Sequence, residues 1–595
     1  MTEFHDLYAH IRAQVLAALQ QVAPSLPDAL LSKIEVTPAR EPGQGDMASN
    51  VALVAAKAAR QAPPKLATAL VSKLQETPEI ESVEAAGPGF VNMRLRPEAF
   101  RALLPVILRD GTAYGDSRIG AGAAVNVEYV SANPTGPMHI GHCRGAVVGD
   151  ALANLLAKAG YSVTKEFYIN DAGAQVAALA WAAYWRYLQA IGTPLSEEEF
   201  AKQVPGGLQY RGDYLIPVGE ALAARYGESL AVDRRPAPPE GWFDTVREFA
   251  VAEMMRGIRE DLDLLGVRQE AFVSERALVE AGAVDAAIER LGAAGLIYEG
   301  VLEPPKGKLP DDWEARPQTL FRAAEFGDDT DRPLRKSDGS NTYFANDIAY
   351  HAGKIARGAQ VLIDIWGADH GGYVKRMQAA VRALAPDAIL EIVLCQIVHV
   401  VRGGQPVRMS KRAGTYITLR DLLEEVGRDA VRFTMLTRKA DAQMEFDLDQ
   451  VVAQTRENPV FYVQYAHARC RSVLRLAAEM FGAEVVSDVG LAGAALDTLQ
   501  AEPELAVLRR LAHWPRLAQA AALAREPHRI AFFLYDLASD FHILWNRGKD
   551  DSTLRFLQPD RLAETLARLA LVAATAVVIR SGLSVMGVEP AEELR

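Results

Sequence analysis

Cysteine is scarce, with 3 in 595 residues (Cys143, Cys395 and Cys470) and no C-x-x-C pair. Disulfide frameworks and cysteine-built zinc sites need paired or clustered cysteines, so three reduced thiols and no structural zinc are expected. Nor is there a basic excess: 64 Lys+Arg stand against 76 Asp+Glu, a formal net charge of −12. Taken as a whole-chain sum, this argues against a polyanionic partner, because nucleic-acid binders commonly carry surplus Lys and Arg. Uninterrupted apolar runs of the ~18–20 residues that a membrane span needs are missing, and the start MTEFHDLYAH has neither a basic n-region nor an apolar h-region. A cytosolic protein without membrane contact is expected. An apolar share of 49% with 24% charged residues excludes a disordered or fibrous chain. At roughly 100–200 residues per domain, the length implies three to five domains.

What is present suggests three parts. Residues 1–115 mix helical periodicity with a short strand signal, GPGFVNMRL, and read as an α+β module; the Gly/Ala-rich DGTAYGDSRIGAGAA then marks a boundary. Residues 120–420 read as α/β. In VNVEYVS, Val125, Val127 and Tyr129 alternate with Asn126 and Glu128, the period of a strand with two differing faces. Val148, Leu152, Leu155, Leu156 and Ala159 follow at helical spacing up to Gly160. The runs VLIDIW (361–366) and EIVLCQIVHVV (391–401) alternate with helical patterns, which argues for a parallel sheet with crossover helices. Pro/Gly-rich interruptions over roughly 190–330 look like an insertion in that domain. Residues 421–595 read as an all-α bundle, strand signals vanishing from about Asp441.

Two stretches carry chemistry. SANPTGPMHIGHCRG (131–145) leaves the end of the first strand and opens a helix, where open α/β sheets bind nucleotides. Free N–H groups at that helix start favour phosphate, Gly136, Gly141 and Gly145 permit close backbone approach, and His139 and His142 share one face. The bland alternative is two histidines satisfying local polar groups. In VRGGQPVRMSKRAGTY (401–416), Arg402, Arg408, Lys411 and Arg412 stand with Ser410 in a glycine-rich loop. That suits pyrophosphate stabilisation; the plain alternative is a solvated basic turn.

His139-Ile140-Gly141-His142 matches the signature tetrapeptide of class I aminoacyl-tRNA synthetases, and Arg408-Met409-Ser410-Lys411-Arg412 resembles their Lys-Met-Ser-Lys-Ser loop, departing from it at Arg408 and Arg412. EYVSANPTGPMHIGHCRG, LRKSDGSNTYFANDIAYH, WGADHGGYVKRM, GRDAVRFTML and NPVFYVQYAHAR resemble the bacterial arginyl-tRNA synthetases in particular. The resemblance implies a Rossmann-like catalytic domain with a connective insertion, an N-terminal module for the tRNA elbow and a helical anticodon-binding domain. It implies MgATP, L-arginine and tRNA(Arg) as substrates, a monomer, and no bound metal. His139, His142 and Lys411 would be catalytic, and Pro137, His139, Gly141, His142, Met409, Ser410 and Lys411 would bind ATP. Glu128, Asn133, Tyr343, Asp347, Asp369 and His370 would bind arginine. Tyr462, Tyr465, Arg469, Trp545, Phe90 and Asn92 would touch tRNA. From the residues alone, Asp347 is equally a helix N-cap or surface acid, and a tyrosine pair spaced like Tyr462 and Tyr465 is more often core. A cysteine-specific relative would need the zinc site that the scattered cysteines disfavour; a catalytically dead RNA-binding paralogue is opposed by intact His139, His142 and Lys411.

Overall fold

Parallel strands joined by crossover helices build the centre of the chain, as the alternating pattern implies. The computed structural model describes residues 5–41, 43–303, 315–407 and 417–594. It divides into two units, one of residues 120–153 and 161–452, the other of 1–119, 154–160 and 453–595.

In the first of these, β1 (Ala124–Glu128), β2 (Ser162–Ile169), β3 (Ala271–Ser274), β4 (Val361–Gly367) and β5 (Ile389–Cys395) form an all-parallel sheet in the order β5-β4-β1-β2-β3. α1 (Ile140–Lys158) makes the crossover from β1 to β2. Gly149 lets it lie on the strand, since a Cβ there would come 2.4 Å from the Tyr129 ring. β1 does alternate apolar and polar side chains, but both faces are covered: Asn126 and Glu128 are buried, Asn126 donating to Glu166 at 2.8 Å. Crossover helices on both sides of a parallel sheet leave no solvated face.

Three sequence boundaries move. EIVLCQIVHVV is two strands: after β5, the backbone N–H of Gln396 bonds Ala440 at 2.9 Å, and Val398–Arg402 pairs with Met444–Asp447 in a separate small sheet. Met444–Asp447 is thus a strand where only helix was expected, and 421–452 stay with the sheet unit because the buried Arg432 guanidinium bonds Asp150 and the Leu265 carbonyl. β3 also falls inside the stretch read as an insertion, whose helices Ile216–Tyr226 and Phe243–Leu264 pack with the preceding Ala174–Ala190 around Trp242, stacked 3.6 Å from Tyr184.

The other unit joins an antiparallel sheet, in which Phe90–Leu95 pairs with Ile80–Ala86 and Met47–Ser49, to a helical bundle that includes Pro459–Phe481 and His528–Asp550. The two parts share a core: the Trp514 indole donates to the Tyr114 carbonyl at 3.0 Å. Helix Leu562–Met586 is long and apolar enough to cross a membrane, yet most of it is packed inside this bundle. All three cysteines are buried and unpaired.

Candidate active site

A cavity of about 320 Å³ opens at the C-terminal ends of β1, β2 and β4. Beyond Glu128 the chain takes left-handed conformations at Val130 (φ 72°) and Ser131 (φ 40°), costly for a β-branched valine. The turn is held by the Ser131 hydroxyl, which donates to Glu128 Oε1 at 2.9 Å and accepts the Tyr168 N–H at 3.1 Å. The helix α2 (Tyr343–Ala356), capped by the Thr342 side chain, aligns Asp347, Tyr350, His351 and Lys354 on one face by three- and four-residue spacing.

Lys354 lies beneath the cavity, fully buried, with Nζ 2.6 Å from Glu128 Oε2, 2.8 Å from Asp364 Oδ1 and 4.4 Å from the Tyr350 ring centroid. Burial opposes the ammonium, but Asp364 and Glu128 outweigh it and its pKa is raised. Burial likewise opposes the Asp364 carboxylate, and Lys354 and His351 outweigh it, holding its pKa below the usual range. His351 sets Nδ1 2.7 Å from the Asp347 carbonyl and Nε2 2.8 Å from Asp364 Oδ2. Against an ionised Asp364, both contacts are hydrogen bonds only when the ring carries both protons. Glu128, His351 and Asp364 are close enough to ligate a metal ion, but the Lys354 ammonium rests against two of the three.

Asp347 differs from its neighbours. Desolvation pushes its pKa up to about 6, opposed by the Tyr373 hydroxyl that donates at 2.7 Å. It is a carboxyl on the cavity wall with a hydroxyl, rather than an ammonium or guanidinium, as its bonded partner. Asn133, donating to Gln175 at 2.8 Å and accepting from Asn170 at 3.0 Å, and His370 also line the cavity. Asp369 is exposed, 3.6 Å from His370, and is not part of the wall. Tyr343 is 69% exposed and also lies off it; Tyr373 is the tyrosine on Asp347. Helical spacing from Asp347 was a signal for His351 and Lys354, whereas nothing local singled out Tyr373 or Asp364.

At the start of α1 the His139 and His142 rings stack, centroids 4.0 Å apart. The His139 N–H points at His142 Nδ1 (3.3 Å) and the Gly141 N–H at His139 Nδ1 (3.1 Å), and a Cβ at Gly141 would sit 2.8 Å from the His139 ring. Tyr214 donates to the Thr135 carbonyl at 2.8 Å and steadies the turn that contains Gly136 and Pro137. His139 also bridges to Thr418, and the Leu419 N–H bonds the Met138 carbonyl at 2.8 Å, so the chain following the second motif is tied beside the first. Arg408, Met409, Ser410, Lys411 and Arg412 lie outside the described residues.

In the helical bundle a second cavity, of about 340 Å³, is lined by Arg456, Phe461, Tyr462, Tyr465, Arg469 and His542 among others. The Arg469 guanidinium lies 3.9 Å over Tyr465 and 4.8 Å over Trp545, and donates to the Tyr465 hydroxyl (2.7 Å) and His542 Nδ1 (3.0 Å). Burial above all lowers the His542 pKa to about 4, keeping that ring neutral with Nε2 donating to the Tyr462 carbonyl. The expected grouping of Tyr462, Tyr465, Arg469 and Trp545 is therefore assembled, but Tyr462 is buried, while Tyr465, Arg469 and Trp545 are half-exposed. Arg471 and Arg475 bind Glu592 of the C-terminal tail instead of standing open to phosphates. In the N-terminal sheet Phe90 is half-buried and Asn92 buried, because Asn92 sits in the middle strand between Ala48 and Glu84.

Three family models match: an arginyl tRNA synthetase N terminal domain over residues 9–95, a class I (R) tRNA synthetase catalytic domain over 104–191, and a DALR anticodon binding domain over 463–594. An arginine–tRNA ligase of Gluconobacter oxydans is 62% identical over 591 residues, covering 99% of this chain and 98% of its own. One from Cereibacter sphaeroides is 56% identical over 594 residues, covering 99% of this chain and all of its own. In fold, the chain is similar to Thermus thermophilus arginyl-tRNA synthetase, with a TM-score of 0.72 at 21% identity, 99% of this chain and all of that one being covered.

Proposed function

The chain belongs to the arginyl-tRNA synthetase family and joins L-arginine to tRNA(Arg) at the expense of ATP, and from that premise we propose which residues perform each step. Asp347 pairs with the substrate guanidinium. The observation that carries this is its carboxyl on the cavity wall, desolvated, hydrogen-bonded to Tyr373, and not ion-paired to Lys354 as Glu128 and Asp364 are. Glu128, with one bond from Lys354 and one from Ser131, keeps lone pairs for a further N–H donor of arginine, and Asn133 and His370 complete the polar wall. A fork of N–H donors fits such acceptors and a lysine ammonium does not. Tyr343 and Asp369 would reach the substrate only after moving inward.

The arginine carboxylate attacks the α-phosphate of MgATP, giving arginyl-adenylate and pyrophosphate. His139, His142, the α1 N-terminus and Lys411 stabilise charge on the phosphates, with Pro137, Gly141, Met409 and Ser410 shaping the site. The 2′-hydroxyl of the terminal adenosine then attacks the adenylate carbonyl and releases AMP. No covalent enzyme intermediate is needed, so positioning and electrostatics supply the catalysis. We assign anticodon contacts to the Tyr465–Arg469–Trp545 cluster and an elbow contact to Phe90; Asn92 supports the sheet. The enzyme works as a cytoplasmic monomer.

Arginine-dependent ATP–pyrophosphate exchange, measured with and without tRNA(Arg), tests this reading; its absence in the presence of tRNA would sink it. Removal of Arg469 by R469A takes the guanidinium from between Tyr465 and Trp545. Base–aromatic stacking contributes ~1–3 kcal/mol per base, so the KM for tRNA should rise by about 10-fold or more while exchange with saturating tRNA persists. An unchanged KM would remove this cavity from the tRNA surface.

A further inference from the structure

The lysine beneath the cavity has no part in the steps above, yet it is bonded to two of the cavity's three carboxylates. Glu128, Asp347 and Asp364 come from β1, α2 and β4, and all reach one cavity of about 320 Å³. Three uncompensated carboxylates there would repel one another and take up protons. Lys354 prevents this at two of them, through contacts of 2.6 and 2.8 Å, and His351 takes the second oxygen of Asp364. The single Lys354 ammonium thus answers both Glu128 and Asp364, while the bonded partner of Asp347 is the neutral Tyr373 hydroxyl. Tyr168, Tyr350 and Tyr373, which also face them, are phenols whose pKa values are raised by burial, so they stay neutral; the other titratable groups nearby are Glu275, whose pKa burial raises and whose charge acts on Asp347, Glu166 beside Tyr350, and His370 on the cavity wall.

We propose that Lys354 is the positioning residue of the amino-acid pocket. Its ammonium fixes the Glu128 carboxylate, with the Ser131 hydroxyl, in the orientation that turns the spare lone pairs toward the cavity, and leaves Asp347 as the single carboxyl awaiting a cation. It also occupies the place that a divalent ion would take among Glu128, His351 and Asp364, whose ligand atoms lie within 4.8 Å of one another. The pocket is thereby set for a guanidinium and closed to metal. Lys354 itself is not on the cavity wall, so its effect passes through Glu128.

This inference rests on the arginine reading of the cavity, and its tests fail separately: without arginine-dependent exchange in the wild type, that reading falls first. In K354M, which keeps the length of the side chain and removes its charge, the KM for arginine should rise on the order of 30-fold or more, as for truncation of one partner of a buried charge pair, with the KM for ATP within about twofold. Zn2+ at concentrations harmless to the wild type should inhibit K354M competitively with arginine. A merely structural lysine would lower the folded fraction and leave both Michaelis constants alone. An arginine KM within about threefold of wild type, an ATP KM rising in the same proportion, or no gain of zinc sensitivity would each overturn the proposal. The wild type offers a test that no folding defect can spoil. Its arginine KM should rise about tenfold per pH unit below 6, the signature of one carboxyl. A hundredfold rise per unit would mean that a second carboxyl takes up a proton, so that Lys354 does not hold it, and would overturn the proposal equally.

Discussion

Replacing Asp347 with alanine raises the Michaelis constant for arginine by roughly 10²–10³-fold and leaves that for ATP within about twofold. Truncating one member of a hydrogen-bonded, desolvated charge pair costs about 2–5 kcal/mol, and each 1.4 kcal/mol is a factor of ten. In the free enzyme, desolvation holds the Asp347 pKa up at about 6, because the Tyr373 hydroxyl only partly offsets the loss of water. A bound guanidinium stabilises the ionised form, so arginine binds at full strength above pH 6 and must displace a proton below it. The wild-type KM should therefore climb as the pH falls from 7 to 5, and D347N should lose that dependence along with its affinity. Folding obeys the opposite sign. A carboxyl with a raised native pKa binds more protons in the native state than in the unfolded one between about pH 4 and 6, so its ionisation costs stability as the pH rises through that window. Unliganded D347A should consequently melt no lower than wild type at pH 8. Equal arginine KM values for wild type and D347A would remove Asp347 from the pocket.

Replacing Arg432 with methionine destabilises the sheet unit by about 3–5 kcal/mol, the cost of breaking a buried ion pair from one side. Arg432 is fully buried; Nη2 meets Asp150 Oδ2 at 2.5 Å and Nη1 the Leu265 carbonyl at 3.0 Å. Asp150 also accepts from Lys165 at 2.8 Å and from the Tyr129 hydroxyl at 3.2 Å, so the network reaches the residue beside Glu128. Burial opposes the Asp150 carboxylate, but Arg432 and Lys165 outweigh it and its pKa is lowered. Its contribution is therefore present above the ordinary aspartate pKa and lost as the pH falls through the lowered native value. A urea titration at pH 7.5 followed by circular dichroism should show the first transition of R432M shifted to lower denaturant, with acid unfolding beginning at higher pH than in wild type. A change below about 1 kcal/mol would show that Lys165 and Tyr129 satisfy Asp150 without Arg432.

Much of the site was legible because its signals are local. The strand ending at Glu128, the turn and helix carrying His139 and His142, and the helix carrying Asp347 are each contained in a few turns of chain. Tyr343 stands four residues before Asp347 and so shares its helix face, but as the first residue of α2 it is left exposed, and Tyr373 from another element takes the hydrogen bond to Asp347. The net charge of −12 is a whole-chain sum that says nothing of where charges lie, and two of the acids, Glu128 and Asp347, line the cavity proposed for a cationic substrate. Arg471 and Arg475, which follow Tyr465 on its helix, are held by the tail at Glu592, a contact across more than a hundred residues of chain that no periodicity encodes.

By itself, then, the sequence determined the family, the parallel-sheet core, the turn that opens α1 and two of the carboxylates on the cavity wall, because these depend on short-range pattern and on motif. Only the tertiary structure decided which of the cavity's carboxylates are ion-paired to a lysine and which is not. Lys354 is an unremarkable charged helical residue until β1 and β4 bring Glu128 and Asp364 within 2.8 Å of it, and burial then turns those contacts into fixed ion pairs. The same folding gives Asp347 the Tyr373 hydroxyl in place of such a partner, and that difference in surroundings, not residue type, separates the ion-paired acids from the one proposed to recognise substrate.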